Sequence, residues 1–255
     1  MKALLLELAD AVQRAVEGLA EDPGDVVGQG ADGAPTHRID RAAEDAVLQY
    51  LDYEGVDLDV LSEERGLIRR GGDRRLVLDP IDGTHNAIRG VPAFSVSLAI
   101  GRQRLSDVEE ALVRDLVSGA TYHAEKGGGA TLNGRPIRVR PFRPDDSLFS
   151  VYLGSNAHPD AARIASRARR VRCLGAASLD LCLVAKGAAD LYYMRTSVVP
   201  TKVRPVDIAA GVLIVREAGG EVQDLAGSPL DLALDPTART DLVAFGDPRV
   251  LEAIR

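Results

Sequence analysis

The sequence predicts a mixed α and β fold, and three observations carry that expectation. Segments with apolar residues at helical spacing alternate with short apolar or alternating runs of strand length. Aromatic residues are only 4% of the chain and Trp is absent, so a core must be built from Leu, Val, Ile and Ala. Several of the short apolar runs end directly in acidic or glycine residues, which places those residues at sheet edges, where ligand sites of α/β proteins lie. At 255 residues and 45% hydrophobic, without low-complexity tracts, the chain suffices for one large domain or two closely packed ones.

In chain order, residues 3–19 place Leu4, Leu5, Leu8, Val12, Ala15, Val16 and Leu19 on one helical face. Asp25–Pro35, with glycines at 28, 30 and 33, reads as a flexible loop. A second helix is expected over Ile39–Leu51. A short strand, Asp57–Ser62, then runs into Glu63 and Glu64. Leu76–Leu78 reads as the end of a buried strand and Phe94–Ile100 as another. Leu112–His123 holds one more, and Gly127–Val139 is a hairpin turning at Asn133-Gly134. The triple glycine at 127–129 lacks nucleotide-fingerprint spacing and is assigned to backbone packing or a bulge. Three prolines within Pro136–Asp146 mark the best boundary, dividing the chain into 1–140 and 141–255. Beyond it the pattern predicts strands at Leu148–Leu153, Val171–Leu174, Asp190–Met194 and Asp241–Phe245. Helices are predicted at Pro159–Arg169, Ala177–Lys186, Pro205–Gly220 and Pro248–Ile254, with Asp207 as N-cap and Gly219 as C-cap of the third.

Composition excludes several functions. A net charge of −7 argues against a nucleic-acid surface. Cys173 and Cys182 lie in apolar contexts and are expected to be buried thiols in a reducing compartment. Four scattered histidines (His37, His85, His123, His158) do not complete a zinc site. Met1–Ala20 is interrupted by Glu7, Asp10, Arg14 and Glu17, so it is neither a signal peptide nor a membrane span, and a cytoplasmic protein is expected.

Chemistry concentrates in Leu76–Asn86. Asp79 and Asp82 flank Pro80, which stiffens the expected turn, and Gly83-Thr84 opens an expected helix with free backbone N–H groups. Carboxylates gather hard cations and helix N-termini gather phosphate, so the stretch suggests a metal-bound phosphate ester. Glu63 and Asp207 add two acids at element ends. Taken singly, Asp207 would be only a cap and Glu63-Glu64 only a solvated turn. Together the acids would require cations, and oxygen ligands suit Mg²⁺ or Mn²⁺.

Asp79-Pro-Ile-Asp-Gly-Thr-His-Asn86 resembles the D-P-x-D-G-[TS]-x-N signature of the inositol monophosphatase / fructose-1,6-bisphosphatase superfamily. Asp207-Ile-Ala-Ala-Gly, continuing to Glu217-Ala-Gly-Gly220, resembles its second signature. Ser62-Glu63-Glu64 resembles its acidic strand end, and Gly30–Asp40, which contains Asp32, resembles its catalytic loop in the archaeal form. Gly127–Gly134 and Leu174–Ser178 also fit. The resemblance implies an α+β N-terminal half and an α/β C-terminal half in a layered αβαβα sandwich. It implies a Mg²⁺-dependent phosphatase with two to three ions and a homodimeric assembly. It assigns Glu63, Asp79 and the Ile81 carbonyl to one ion, and Asp79, Asp82 and Asp207 to a second. A third, weaker ion is assigned near Glu63 and the loop. Thr84 with Asp40 would activate water, with Asp32 and Glu63 contributing to catalysis, and the amides of Gly83 and Thr84 would hold phosphate.

Inositol-selective relatives carry a Glu seven residues before the second-motif Asp, where this chain has Pro200. Archaeal members that hydrolyse fructose-1,6-bisphosphate place an Arg in the region of Tyr193–Arg204 and another in an R-x-x-G context, here Arg172-Cys-Leu-Gly175. The resemblance thus implies that Arg172 and Arg195, with Tyr152 and the backbone near Ala177, contact a sugar or its distal phosphate, beside Asp82, Gly83 and Thr84. The expected substrate is a small phosphorylated sugar or inositol: fructose-1,6-bisphosphate first, with inositol-1-phosphate. The alternatives are 3′-phosphoadenosine 5′-phosphate, or a catalytically idle binding relative, which would be expected to have lost ligands; none is lost.

Overall fold

A computed structural model describes the whole chain, Met1–Arg255. The first half contains α1 (Lys2–Glu17), the hairpin β1 (Val26–Gln29) and β2 (Pro35–His37), and α2 (Arg38–Tyr53). Then follow β3 (Asp59–Ser62), β4 (Gly66–Ile68), β5 (Arg75–Asp82), the short α3 (Thr84–Ile88) and β6 (Ser95–Gly101). β7 (Glu110–Asp115), β8 (Thr121–Glu125), β9 (Gly129–Leu132) and β10 (Arg135–Ile137) complete it. The second half contains β11 (Leu148–Val151), α4 (Asp160–Ala165), β12 (Arg170–Arg172), α5 (Ala177–Ala185) and β13 (Leu191–Met194). It ends with α6 (Pro205–Glu217), β14 (Glu221–Gln223), β15 (Leu242–Phe245) and α7 (Arg249–Ile254).

Eight strands form one sheet in the order β10-β9-β8-β7-β6-β5-β3-β4, antiparallel except for the β3–β5 pair. Five form a second, β12-β11-β13-β15-β14, with β11 parallel to both its neighbours. The period-2 alternation of each strand assigns its two faces to different layers. In β5, Leu76 and Leu78 join Leu5, Leu8, Val12, Ala43 and Val47 of α1 and α2. Val77, facing the other way, joins Leu181, Ile208 and Val212 of α5 and α6. In β13, Tyr192 and Met194 face that same helical layer, while Leu191 and Tyr193 pack with Ile164 of α4 and Val250 of α7. The result is five layers: α1 and α2, the large sheet, α5 and α6, the small sheet, α4 and α7. The layered αβαβα sandwich holds.

The middle helices are apolar around nearly their whole circumference, as a helix covered by sheets on two sides must be. Gly211 permits the contact between them, because a Cβ there would lie 2.5 Å from Leu181 Cδ1.

Several expectations need correction. Leu78 does not end its strand; β5 runs on through Asp82. The Leu112–His123 segment is two strands, β7 and β8, turning through Leu116–Ala120, because Asp115 caps that turn with bonds to the N–H groups of Val117 and Ser118. Asp25–Pro35 is partly a hairpin rather than a plain loop. Asp207 is the third residue of α6, not its N-cap, which is Arg204; the helix ends with Ala218 as its C-cap, one residue before Gly219. Cys173 is exposed and only Cys182 is buried. The hairpin at Asn133-Gly134 forms as read, with φ of 50° and 75° at the two turn residues.

Candidate active site

The acids meet where β3 and β5 end and α6 begins. Glu63 follows β3, and its N–H donates to Leu78 C=O at 3.2 Å, which sets it beside Asp79. Asp79 continues the face of Val77 and so points toward α6. In regular alternation Asp82 would point to the opposite face of the sheet. The β5–β6 register shifts between Asp79 and Asp82, and this irregularity turns Asp82 to the side of Asp79 while Ile81 packs into the α1–α2 core. Capping chemistry places Asp207: its Oδ2 accepts the Arg204 N–H at 2.6 Å, as an acid in a first helical turn does. Carboxylate oxygens of Glu63, Asp79 and Asp207 lie within 4.8 Å of one another.

This arrangement strains the ionised forms. Asp79 is held well above the usual carboxylate range, first by burial and then by the charges of Glu63, Asp82 and Asp207. Burial pushes Asp82 up to about 7, although Ser178 and Ala177 oppose the rise. Those donors are the N–H of Ala177 at 3.1 Å, the N–H of Ser178 at 2.7 Å and its hydroxyl at 2.5 Å, all in the first turn of α5. Asp79 Oδ1 is buried without any hydrogen-bond partner. A buried carboxylate oxygen left orphaned among three other acids is what a hard divalent cation would satisfy, so the residues fit such an ion.

The Thr84 hydroxyl lies 2.8 Å from Asp40 Oδ1 and 3.0 Å from the Ile81 carbonyl. Burial raises Asp40 to about 6, against the opposing effect of the Thr84 bond. Gly83 precedes α3 with φ of 93°, and a Cβ there would meet the Ala93 carbonyl at 2.9 Å. Only glycine brings the chain round at this point. Beside it, Asn86 donates to the carbonyls of Ala93 and Leu174, both at 2.7 Å, joining the motif to the α5 approach.

A cavity of about 560 Å³ opens over the acids. Asp32, Asp40, Glu63, Asp79, Ile81, Asp82, Gly83, Thr84, Tyr152, Ala177 and Asp207 all line it. Arg172 and Arg195 do not. Arg172 ends the edge strand β12 and is exposed, its Nη1 donating to the Val171 carbonyl at 2.8 Å. Arg195 follows Met194 and takes the opposite face, where it pairs with Asp160 of α4. The structure does not bring these two arginines into the cavity: strand alternation turns Arg195 away, and Arg172 stays in solvent. The cavity's lysine and arginine are instead Lys202 and Arg204. Lys202 Nζ bonds Asp241 Oδ2 at 2.6 Å. Asp180, raised by burial to about 7 and bonded by Ser150, also lines the cavity. Sequence reasoning did not find it, because an acid in the first turn of a helix, as Asp180 is in α5, reads as an ordinary complement to the helix dipole.

Fold and site together define a metal-dependent phosphatase of the layered αβαβα type. The sequence profile of the inositol monophosphatase family matches residues 1–247, and the chain belongs to that family. It is 37% identical to a fructose-1,6-bisphosphatase/inositol-1-monophosphatase of Methanothermobacter thermautotrophicus, covering 99% of this chain and 94% of that one. It is 33% identical to a bifunctional NADP phosphatase/NAD kinase of Methanococcus maripaludis, over 97% of this chain and 47% of the other. The crystal structure of the MJ0109 gene product, an inositol monophosphatase-fructose 1,6-bisphosphatase, superposes with a TM-score of 0.87 at 29% identity, over 99% of this chain and 97% of that one.

Proposed function

We propose that the protein is a Mg²⁺-dependent phosphatase of small phosphorylated sugars, with fructose-1,6-bisphosphate (at its 1-phosphate) and inositol-1-phosphate as its substrates. The observation that carries this reading is the orphaned Asp79 oxygen within the cluster of Glu63, Asp79 and Asp207, set beside the Thr84–Asp40 pair. Glu63, Asp79, Asp82, Asp207 and the Ile81 carbonyl would hold the divalent ions. Bound there, the ions would acidify a water and neutralise charge on the phosphoryl oxygens. Thr84 passes its own proton toward Asp40, which leaves its lone pairs to accept a hydrogen from the attacking water. Asp40, raised to about 6, is poised to take up that proton near neutral pH. Gly83 and Thr84 offer backbone amides at the turn, where phosphate would lie.

Lys202, held by one carboxylate, Asp241, is the cavity cation freer to meet a second phosphate, because Arg204 is bound to three. The similarity to an NADP phosphatase supports a second reading, a phosphate monoester on a nucleotide. We expect a homodimer in the cytoplasm and a role in carbohydrate metabolism such as gluconeogenesis. No helix is long and apolar enough to cross a membrane.

The test is phosphate release from fructose-1,6-bisphosphate, inositol-1-phosphate, 3′-phosphoadenosine 5′-phosphate and NADP, with Mg²⁺ and with EDTA. Release from the first two that EDTA abolishes is the expected result. Release from none of the four would end the phosphatase reading, and preference for the nucleotides would move the substrate class.

A further inference from the structure

Arg204 occupies a position that the reading of the acids alone does not explain. It caps α6 three residues before Asp207, and its side chain is only 15% exposed. Its guanidinium contacts carboxylates from three separate segments. Nη1 donates to Asp32 Oδ2 at 2.9 Å, and Nη2 donates to Glu63 Oε1 and, at 2.9 Å, to Asp207 Oδ1. Nε reaches Asp207 Oδ2 at 3.4 Å. The planar fork of arginine suits this, since it presents several donors in fixed directions.

Asp32 lies at the tip of the β1–β2 hairpin, where its other oxygen accepts the Ala34 N–H at 2.9 Å. The base of the same loop is held by Glu64, whose carbonyl accepts the Ala31 N–H at 2.8 Å and whose carboxylate bonds Thr36. The tip is held from the other half of the chain, by Arg204. Each carboxylate of Glu63 and Asp207 has lone pairs enough to keep a guanidinium bond and still ligate an ion. Between Asp32 and Glu63 the guanidinium already fills the space, and a divalent ion placed there would sit against a like charge.

Resting on the metal-dependent reading above, we infer that Arg204 is a built-in cation that takes the place of a third divalent ion. The chain then binds two ions, and the Gly30–Ala34 loop closes on a side chain rather than on metal. Arg204 is a positioning residue: it acts through Asp32, Glu63 and Asp207.

The experiment is equilibrium binding of Mn²⁺ to the full chain with inorganic phosphate present, read by electron paramagnetic resonance of free Mn²⁺, together with amide hydrogen exchange over residues 30–34. The wild type is expected to bind two ions. Arg204→Met is expected to bind a third and, without metal, to exchange the loop amides roughly tenfold faster. Arg204→Lys is expected to return the count to two. Three ions on the wild type would overturn the inference while leaving the phosphatase reading intact, and so would an Arg204→Met protein with unchanged count and unchanged exchange. No Mn²⁺ bound at all would overturn both. Should Arg204→Met fail to fold, the wild-type count still decides, and Asp32→Asn must then speed loop exchange.

Discussion

Asp82 shows what a single residue contributes. Its two oxygens take three donors from α5, so it joins the halves of the chain in addition to the ligand role proposed for it. Asp82→Asn and Asp207→Asn should each lower turnover by ~10²-fold or more and weaken Mg²⁺ binding together. Steady-state kinetics across a Mg²⁺ series would show this, and an unchanged Mg²⁺ dependence would remove the residue from the ion site. Thr84→Ala should lower kcat on the order of 10²–10⁴-fold with little change in KM, because it interrupts proton transfer to Asp40 without touching Glu63, Asp79, Asp82 or Asp207. Lys202→Met should raise KM for the bisphosphate more than for inositol-1-phosphate, whereas Arg195→Ala and Arg172→Ala should alter neither. Equal behaviour of Lys202→Met on both substrates would leave the second phosphate without a partner. Glu63, Asp82 and Asp207 were legible because each stands at or near an element end, where sequence position and chemistry coincide; Asp79, inside β5, was legible only through its motif. The cations that line the cavity were not. Arg195 directly follows a strand, and which face it takes depends on register, which a motif does not encode.

At the scale of elements, the informative feature is β5. Its apolar run and its acids were both evident, but the strand was expected to stop where the acids begin. It continues because the β6 partner carries the ladder past Asp79 to Asp82. A local sequence cannot show that a neighbour sustains a strand across Pro80. Helix α6 was legible from its apolar length, and its crossing with α5 was not. Gly211→Ala tests that crossing: the added methyl must displace Leu181, at a cost of ~1–3 kcal/mol. Urea denaturation would measure it, and a neutral result would mean that the two helices can separate without loss.

For the whole molecule, burial of so many acids sets the response to pH. Asp40 is raised to about 6, and Glu64, Asp82 and Asp180 to about 7. A folded-state value raised above the unfolded one contributes stability that is complete below about pH 4 and lost as pH rises through 6 to 7. The metal-free chain should therefore lose thermal stability between pH 5 and pH 8. Divalent ions select the ionised forms, so the rise in Tm from Mg²⁺ over EDTA should be larger at pH 8 than at pH 5. Thermal scans at both values check this, and a larger rise at pH 5 would contradict it. The order of the five layers became legible only through the resemblance. Helix and strand periodicities show which faces are apolar, but α5 and α6 are apolar all round, so they carry no sign of which sheets they face.

The far end of α6 carries a further consequence. Glu217 lies in the last turn, where the helix dipole disfavours an anion. Its two oxygens accept the N–H groups of Gly127 and Gly129 at 2.8 and 2.9 Å. These glycines are the turn for which the sequence suggested only packing or a bulge. The helix is thus pinned at one end by a glycine turn of the large sheet and bears Asp207 at the other, about 15 Å away at 1.5 Å per residue. A surface hairpin in this way helps to set the axial position of the acid that would hold a metal at the other end of the helix. Drift in that hairpin would be passed along α6 to Asp207, so loosening Glu217 from its two glycines should shift the affinity for a divalent ion without touching any of the acids at the site.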